Sequence, residues 1–251
     1  VDRALRILEL FIADETLSLT EIAQRMDLPK STVFGLLATL EARRYVCRDK
    51  LTSRYSLGPI LLEMGGLFNS RLRLRDIAFP VMQRLCDQTN QTVQLSMLSG
   101  LNVIYIEKVE PKGILQMVTR VGATFPANGA ATGKMLLACL PEAELGALLD
   151  GNTLPAITEN TITDHNLLRA ELAKIRVQGY AVDNRESNEQ ITGFAAPVYD
   201  YMKKALAAIS LGGLIGTFTG VSDMNLRLLR EAARDISRGL GCSGEMKYLA
   251  D

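Results

Sequence analysis

The sequence offers little for metal or covalent chemistry. It has one histidine, His165, and four cysteines, Cys47, Cys86, Cys139 and Cys242, far apart and without a C-x-x-C pair. That spacing argues against a zinc cluster and against a small disulfide framework. It predicts four unpaired thiols in a reducing, cytoplasmic setting. A metal site or a Ser-His-Asp triad would rest on His165 alone, which lies in the polar stretch Thr161-Ile162-Thr163-Asp164-His165-Asn166 and reads as a surface residue near a helix start. No apolar run reaches the roughly 18 residues that a membrane helix needs. Charges interrupt the apolar residues of Val1-Asp2-Arg3-Ala4-Leu5-Arg6, so the start does not read as a secretory signal. The expectation is no membrane, no metal, no cofactor and no enzyme.

Net charge is also lacking, since 28 Lys/Arg balance 28 Asp/Glu. The balance hides an asymmetry. Residues 1–75 hold 12 Lys/Arg against 9 Asp/Glu, and the remainder holds 16 against 19. A mildly basic head on a mildly acidic body suits a nucleic-acid-binding module fused to something else. A hydrophobic share of 47% with 22% charged residues is the profile of a folded chain, and 251 residues suffice for two domains.

The basic head has helical periodicity. Ala4, Ile7, Leu8 and Phe11 fall at i, i+3, i+4, i+7, one apolar helix face running to about Ala13. Ser18-Leu19-Thr20-Glu21 is a capping box that opens a short helix, Thr20 to Met26. Asp27-Leu28-Pro29 breaks it. A second helix starts near Pro29–Lys30, with its apolar stripe on Val33, Leu36, Leu37 and Leu40. Its other face carries Lys30, Ser31, Thr32, Phe34, Gly35 and Thr39. Two helices joined by a short turn, the second beginning Lys-Ser-Thr, are the layout of a helix-turn-helix, whose second helix enters the major groove. Lys30, Ser31 and Thr32 are residue types that bond phosphates and base edges. Ser18 and Thr20, at the start of the first helix of the pair, join the candidate contact set.

After these helices, Tyr45–Arg48 and Arg54–Leu57 read as short strands around the polar tip Asp49-Lys50-Leu51-Thr52-Ser53. This is a wing that can lie along a DNA backbone, with Arg43, Arg44, Arg48, Lys50 and Arg54 around it. A connecting helix is expected from Ile60 to Ser70. Arg71-Leu72-Arg73-Leu74-Arg75 follows, either contacting phosphate or forming a solvated helix joint.

The residues after this joint alternate between two periods. A helix is expected over Asp76–Thr89, then strands at Thr92–Leu98, Val103–Lys108 and Leu115–Thr119, with a turn at Gly100-Leu101-Asn102. Helices follow at Ala131–Cys139, Glu142–Leu149 and Asn166–Gln178, then strands at Tyr180–Asp183, Thr192–Tyr199 and Ala205–Leu211, and a last helix from about Asp223 to Leu240. This order suggests an α+β domain around one antiparallel sheet flanked by helices. The stretch Asn128-Gly129-Ala130-Ala131-Thr132-Gly133-Lys134 imitates a phosphate loop but fails it. A P-loop needs Gly at position 128 and Ser/Thr at 135, where this chain has Asn128 and Met135. A helix N-terminus at Ala131 and Thr132 is nonetheless a place where free N–H groups attract an anion.

Six segments together resemble the IclR family of transcription regulators. They are Val1-Asp2-Arg3-Ala4-Leu5-Arg6-Ile7-Leu8, Leu19-Thr20-Glu21-Ile22-Ala23, Leu28-Pro29-Lys30-Ser31-Thr32-Val33, Tyr55-Ser56-Leu57-Gly58, Thr132-Gly133-Lys134-Met135-Leu136-Leu137-Ala138 and Ala195-Ala196-Pro197-Val198-Tyr199-Asp200, in the family's order and spacing. The resemblance implies a winged helix-turn-helix over 1–58, a linker helix over 59–75 and a GAF-like effector and oligomerisation domain over 76–251. It also implies double-stranded operator DNA as partner, and homodimers that pair into dimers of dimers. Repression is the expected direction.

The resemblance carries a family pocket onto this chain. Its apolar wall falls on Ile114, Met117 and Phe125. Its helix start falls on Ala131 and Thr132, with Asn128 ahead of them, and its far side on Asp183, Ile191, Gly193, Ser210 and Gly212. Ordinary core packing is the competing reading for each apolar member, and a turn or cap for Asp183. Gly193 stands where the family often has Cys, Gly212 where Ser is common, and Gly35 where a basic residue is frequent. The two pocket glycines suggest a roomier, less polar pocket, suited to an aromatic or longer organic acid. The competing functions are a GAF-like enzyme using cysteine redox chemistry, which needs thiols converging in the pocket, and a winged-helix scaffold that binds protein.

Overall fold

The computed structural model describes residues 1–64, 74–111, 119–216 and 223–247. The chain divides into two compact units, Val1–Leu72 and Arg73–Asp251. The first contains α1 (Asp2–Leu10), α2 (Leu19–Met26), α3 (Lys30–Ala42) and a hairpin of β1 (Val46–Arg48) and β2 (Tyr55–Leu57). The capping box forms as the sequence dictates: the Ser18 hydroxyl accepts the Glu21 N–H at 3.3 Å, and the Glu21 carboxylate accepts the Ser18 N–H at 2.7 Å. Asp27 ends α2 in the left-handed region at φ 51°, and Pro29 precedes the first residue of α3.

Ile7, Phe11, Ile22, Val33, Leu37 and Leu40 meet in one core with Val46 and Tyr55 of the hairpin. Leu17 exchanges two backbone hydrogen bonds with Tyr55, at 2.9 and 2.7 Å, which ties the segment before α2 to the wing. The first helix is shorter than its apolar spacing suggests. Phe11 and Ile12 bond back to Leu8 and Glu9, so the last turn tightens to a three-residue repeat and the α-helix closes at Leu10. Residues 60–64 are helical; the rest of the expected linker helix, with Arg71 and Arg73, lies outside the described residues.

The second unit is an α+β domain. Its six strands lie in the order β5 (Thr124–Pro126), β4 (Asn102–Val109), β3 (Thr92–Ser99), β8 (Ala205–Leu214), β7 (Ile191–Tyr199), β6 (Ala181–Asn184), and every neighbouring pair is antiparallel. Alternation along the strands sorts side chains to two faces. Val103, Ala181, Ala195 and Ala208 share one core with α5 (Ala131–Cys139), α6 (Glu142–Leu149) and α7 (His165–Gln178). α4 (Leu74–Thr89) and α8 (Asp223–Gly239) pack on each other and on the sheet. The antiparallel sheet flanked by helices is the architecture expected from the periodicities. β5 has no counterpart among the expected strands, because three residues are too few to show alternation. Most of the expected strand at Leu115–Thr119 falls outside the described residues.

α5 is the central element of this domain. Every residue from Ala131 to Ala138 is buried, including Lys134. Its close seat depends on Gly133: a Cβ there would lie 2.3 Å from the Ala127 carbonyl oxygen, on the turn that leads into the helix. Gly35 in α3 is the opposite case, since nothing lies within 4 Å of the Cβ it lacks. The same substitution at these two helical glycines therefore has opposite signs. Denaturant unfolding is expected to show Gly35→Ala stabilising the N-terminal unit by about 0.5–1 kcal/mol. Gly133→Ala is expected to destabilise the C-terminal unit by roughly 1–3 kcal/mol despite alanine's better helix propensity.

Candidate functional site

The fold presents two candidate surfaces, one on each unit. On the first, the solvent face of α3 displays Lys30, Ser31, Phe34 and Gly35, with Thr32 half-buried beside them and Thr20 exposed at the start of α2. Phe34 is 52% exposed, a large apolar ring on the outside of the helix. The fold gives no packing reason for Gly35, and its carbonyl accepts the Thr39 hydroxyl at 3.0 Å. A side chain there would point into open space, so a backbone can approach α3 closely at that point.

The basic residues of the wing divide by what they already hold. Arg54 donates to the Thr16 hydroxyl and carbonyl, both at 3.0 Å, and to Glu21 at 2.9 Å, so it braces the wing against α2. Arg44 pairs with Glu63 at 2.7 Å. Arg48 lies over the Tyr55 ring, 5.6 Å from its centroid. Ser18 is engaged in its cap. Lys30, Arg43 and Lys50 stand exposed, Lys50 on a tip that Asp49 holds by accepting the Leu51 and Thr52 N–H groups at 2.8 and 2.7 Å. Cys47 is exposed on the wing. Arg75 is not a phosphate ligand in waiting, because it is ion-paired with the buried Glu107.

On the second unit, a cavity of about 330 Å³ opens where α5 begins. It gathers Phe125, Ala131, Thr132, Asp183, Ile191, Gly193, Ser210 and Gly212, eight of the residues marked in the sequence, together with Gln94, Tyr105, Thr119, Ser187 and Asn188. Ile114 and Met117 lie outside the described residues. Asn128 does not line the cavity. It is buried beneath it, and its amide donates to the Pro155 and Ile162 carbonyls, both at 3.0 Å. The N-cap of α5 is Ala130, which supplies no side-chain acceptor, so the helix presents its first N–H groups to the cavity. His165 is half-buried at the first position of α7, away from this site.

The paired glycines do not simply enlarge the cavity. Gly193 and Gly212 face each other across β7 and β8. A Cβ on Gly193 would lie 2.6 Å from the Leu211 carbonyl oxygen and 3.1 Å from the Gly212 Cα. At Gly193 the neighbouring strand backbone occupies the space a side chain would claim, whereas a Cβ on Gly212 would make only ordinary contact, 3.4 Å from the Thr192 carbonyl oxygen. The expectation of added room therefore does not extend to Gly193, where the missing side chain lets two strands approach.

The electrostatics of the wall were less visible in the sequence. Lys134 is 1% exposed and ion-paired with Glu186, which is 4% exposed. Asp183 accepts the Glu186 N–H at 2.7 Å and the Ser187 N–H at 3.2 Å, and also the Ser187 hydroxyl. Asp183 therefore holds the turn and also lines the cavity. Burial pushes the Asp183 and Glu186 carboxyls above their ordinary range, opposed only in part by the Ser187 and Glu186 hydrogen bonds at Asp183 and by the Lys134 charge at Glu186. Burial likewise pushes the Tyr105 phenol up to about 12, so it enters the cavity as a neutral hydroxyl. No Lys or Arg is among the described lining residues. An anion in this cavity meets both the amides of the helix start and a buried carboxyl. In the sequence Lys134 stood in a failed phosphate loop and in one family-like segment, and its place in the helix Ala131–Cys139 was the one signal of its burial.

Comparison with known proteins agrees with this geometry. The family model of the IclR helix-turn-helix domain matches residues 1–50, and that of the bacterial transcriptional regulator IclR C-terminal region matches residues 68–238. The HTH-type transcriptional regulator XynR of Escherichia coli is 36% identical over 96% of this chain and 96% of its own length. The HTH-type transcriptional repressor AllR of Escherichia coli is 30% identical over 89% of this chain and 83% of its own. The crystal structure of an IclR homolog complexed with 4-hydroxybenzoate, from Microbacterium hydrocarbonoxydans, is similar with a TM-score of 0.81 at 26% identity, covering 95% of this chain and 97% of that one.

The buried ion pair generates a test of the wall. Lys134→Met leaves Glu186 without its counter-charge and is expected to cost roughly 3–5 kcal/mol in denaturant unfolding. The double variant Lys134→Met/Glu186→Gln removes both charges and is expected to recover most of that loss.

Proposed function

The chain belongs to the IclR family of bacterial transcription regulators, with a helix-turn-helix that binds DNA and a C-terminal domain that binds an effector, and from that premise we propose a repressor released from its operator by a small hydroxylated organic or aromatic acid. The observation that carries the effector class is the polarity of the cavity at α5. Its anion-attracting groups are the uncapped N–H groups at Ala131 and Thr132, and its lining also holds the buried Asp183. A carboxylate belongs at the helix start, and a hydrogen-bond donor such as a hydroxyl belongs towards Asp183. Phe125 and Ile191 give the space between them apolar walls. The Microbacterium homolog holds a ligand of that chemistry.

DNA contact is assigned to Lys30, Ser31, Thr32, Phe34 and Gly35 on α3, Thr20 on α2, and Arg43 and Lys50 around the wing. Ser18, Arg44, Arg48 and Arg54 shape that surface through the contacts they already make. Operation as a dimer or dimer of dimers, in the cytoplasm, completes the reading. Leu5, Ile12 and Leu62 are exposed apolar side chains on the N-terminal unit that a second copy would cover. The redox-enzyme alternative is disfavoured because no cysteine is among the described residues lining the cavity. An effector can shift DNA affinity only through a difference in its affinity for two arrangements of the protein.

The direct test is native-gel binding to the DNA upstream of the gene encoding this chain, across salt concentrations, with a panel of acids including 4-hydroxybenzoate, benzoate, glyoxylate and pyruvate. A discrete band that resists competitor DNA and is dissolved by a hydroxylated acid is expected. No specific band at any salt would favour the protein-binding scaffold. Lys30→Ala and Lys50→Ala are each expected to lower the slope of log K against log salt by about 0.9. The cavity also predicts a pH dependence. Lowering the pH from neutral towards the raised range of Asp183 neutralises that carboxyl and removes its repulsion of the ligand. Calorimetry should therefore show affinity for a carboxylate effector rising as pH falls, with a flatter profile in Asp183→Asn.

A further inference from the structure

A second, larger cavity of about 700 Å³ lies at the other end of α5. Its floor is apolar, formed by Met97 and Leu98 of β3, Leu136 and Leu140 at the end of the helix, and Tyr199 of β7. Burial there pushes the Cys139 thiol up to about 12, as expected of surroundings that disfavour charge. The rim is different. Lys203 and Lys204, on the turn between β7 and β8, and Lys247, from the C-terminal segment, stand around it against Glu144 and Asp200. One oxygen of Asp200 is occupied by the turn itself, accepting the Met202 and Lys204 N–H groups, both at 2.9 Å. The C-terminal segment closes one side, with Cys242 and Met246 buried and the Tyr199 hydroxyl donated to the Lys247 carbonyl.

An apolar floor with a rim of ammonium groups is complementary to an amphiphile with a single negative head. It is unlike the first cavity, which has no cationic side chain among its described lining residues. We propose that this cavity is a second small-molecule site, which takes an aliphatic carboxylate with its chain on the Met97–Leu98–Leu136–Leu140 floor and its head among Lys203, Lys204 and Lys247. Both cavities bear on one nine-residue helix, so a ligand at either end meets the element that frames the other. The site is argued from its own lining and does not rest on the effector assigned to the first cavity.

The sequence contains no tryptophan, so a single introduced indole reports on one place. Met202 is 71% exposed on the rim of this cavity and is the position to use. Titrating octanoate into full-length Met202→Trp is expected to give a saturable fluorescence change, with octanamide binding at least tenfold more weakly. Adding Lys203→Glu and Lys204→Glu in that background is expected to weaken octanoate at least tenfold. Calorimetry of octanoate with the unsubstituted chain guards against a silent or misfolded reporter and should give the same affinity. Absence of saturable binding in both measurements would overturn the proposal. Equal binding of octanoate and octanamide, or indifference to the lysine reversals, would also overturn it, since either outcome reduces the site to apolar partitioning. Fluorescence that responds to protein concentration and not to octanoate would assign the rim to another copy of the chain. Binding that appears only after removal of residues 248–251 would overturn the proposal in favour of that segment as the occupant.

Discussion

A lysine ammonium in a protein interior must keep an anion beside it, because a lone charge there costs far more than a fold can spare. Lys134 is such a lysine, and much of the C-terminal domain follows from satisfying it. Its partner Glu186 sits on the turn after β6, so the ion pair fixes that turn against α5. The turn in turn holds Asp183 through the Glu186 and Ser187 N–H groups. Thr158 and Thr161 tie the loop before α7 to the same turn, through the Arg185 and Glu186 carbonyls. A wall that would otherwise be a mobile surface connection is therefore bonded to the most deeply buried helix of the domain.

This arrangement explains why the cavity holds two unlike polar groups. α5 contributes amide N–H groups because Ala130 leaves them uncapped. The turn contributes a carboxyl whose ionisation burial discourages. Neither group is made by the ligand; both exist because the helix is buried and its lysine is paired. A ligand that satisfies both groups draws the turn and the helix together, whereas one carrying only a carboxylate engages a single one. Any regulation of the helix-turn-helix must use this kind of difference between states, since tight binding alone shifts nothing.

The sequence carried the local structure well where one physical signal dominated. The capping box at Ser18, the break at Asp27–Pro29 and the run Ala131–Cys139 each have a single local cause, and each appears where expected. α1 ends early because Phe11 and Ile12 bond back three residues, and apolar spacing alone does not report that tightening. β5 was illegible because three residues carry no period. In the candidate site, the residues that meet at the cavity come from stretches far apart in the chain, and only the family resemblance brought eight of them together in advance. Lys134 and Glu186 lie 52 positions apart, and no rule of spacing links them. The meaning of Gly193 and Gly212 was likewise hidden, because a missing side chain can signify either open space or close backbone approach. Only coordinates distinguish these, and they show close approach at Gly193 but ordinary contact at Gly212. The exposed arginines near the wing looked equivalent in sequence but differ in what they hold.

The central claim is that the start of α5 and the turn after β6 together grip an organic acid. Amide hydrogen exchange with and without 4-hydroxybenzoate tests it most directly, read at the N–H groups of Ala131, Thr132 and Gly133 and across residues 183–191. The account predicts slowed exchange at both places together, while the helices of the N-terminal unit keep their rates unless DNA is present. Protection elsewhere in the domain, with those amides unchanged at saturating acid, would contradict it.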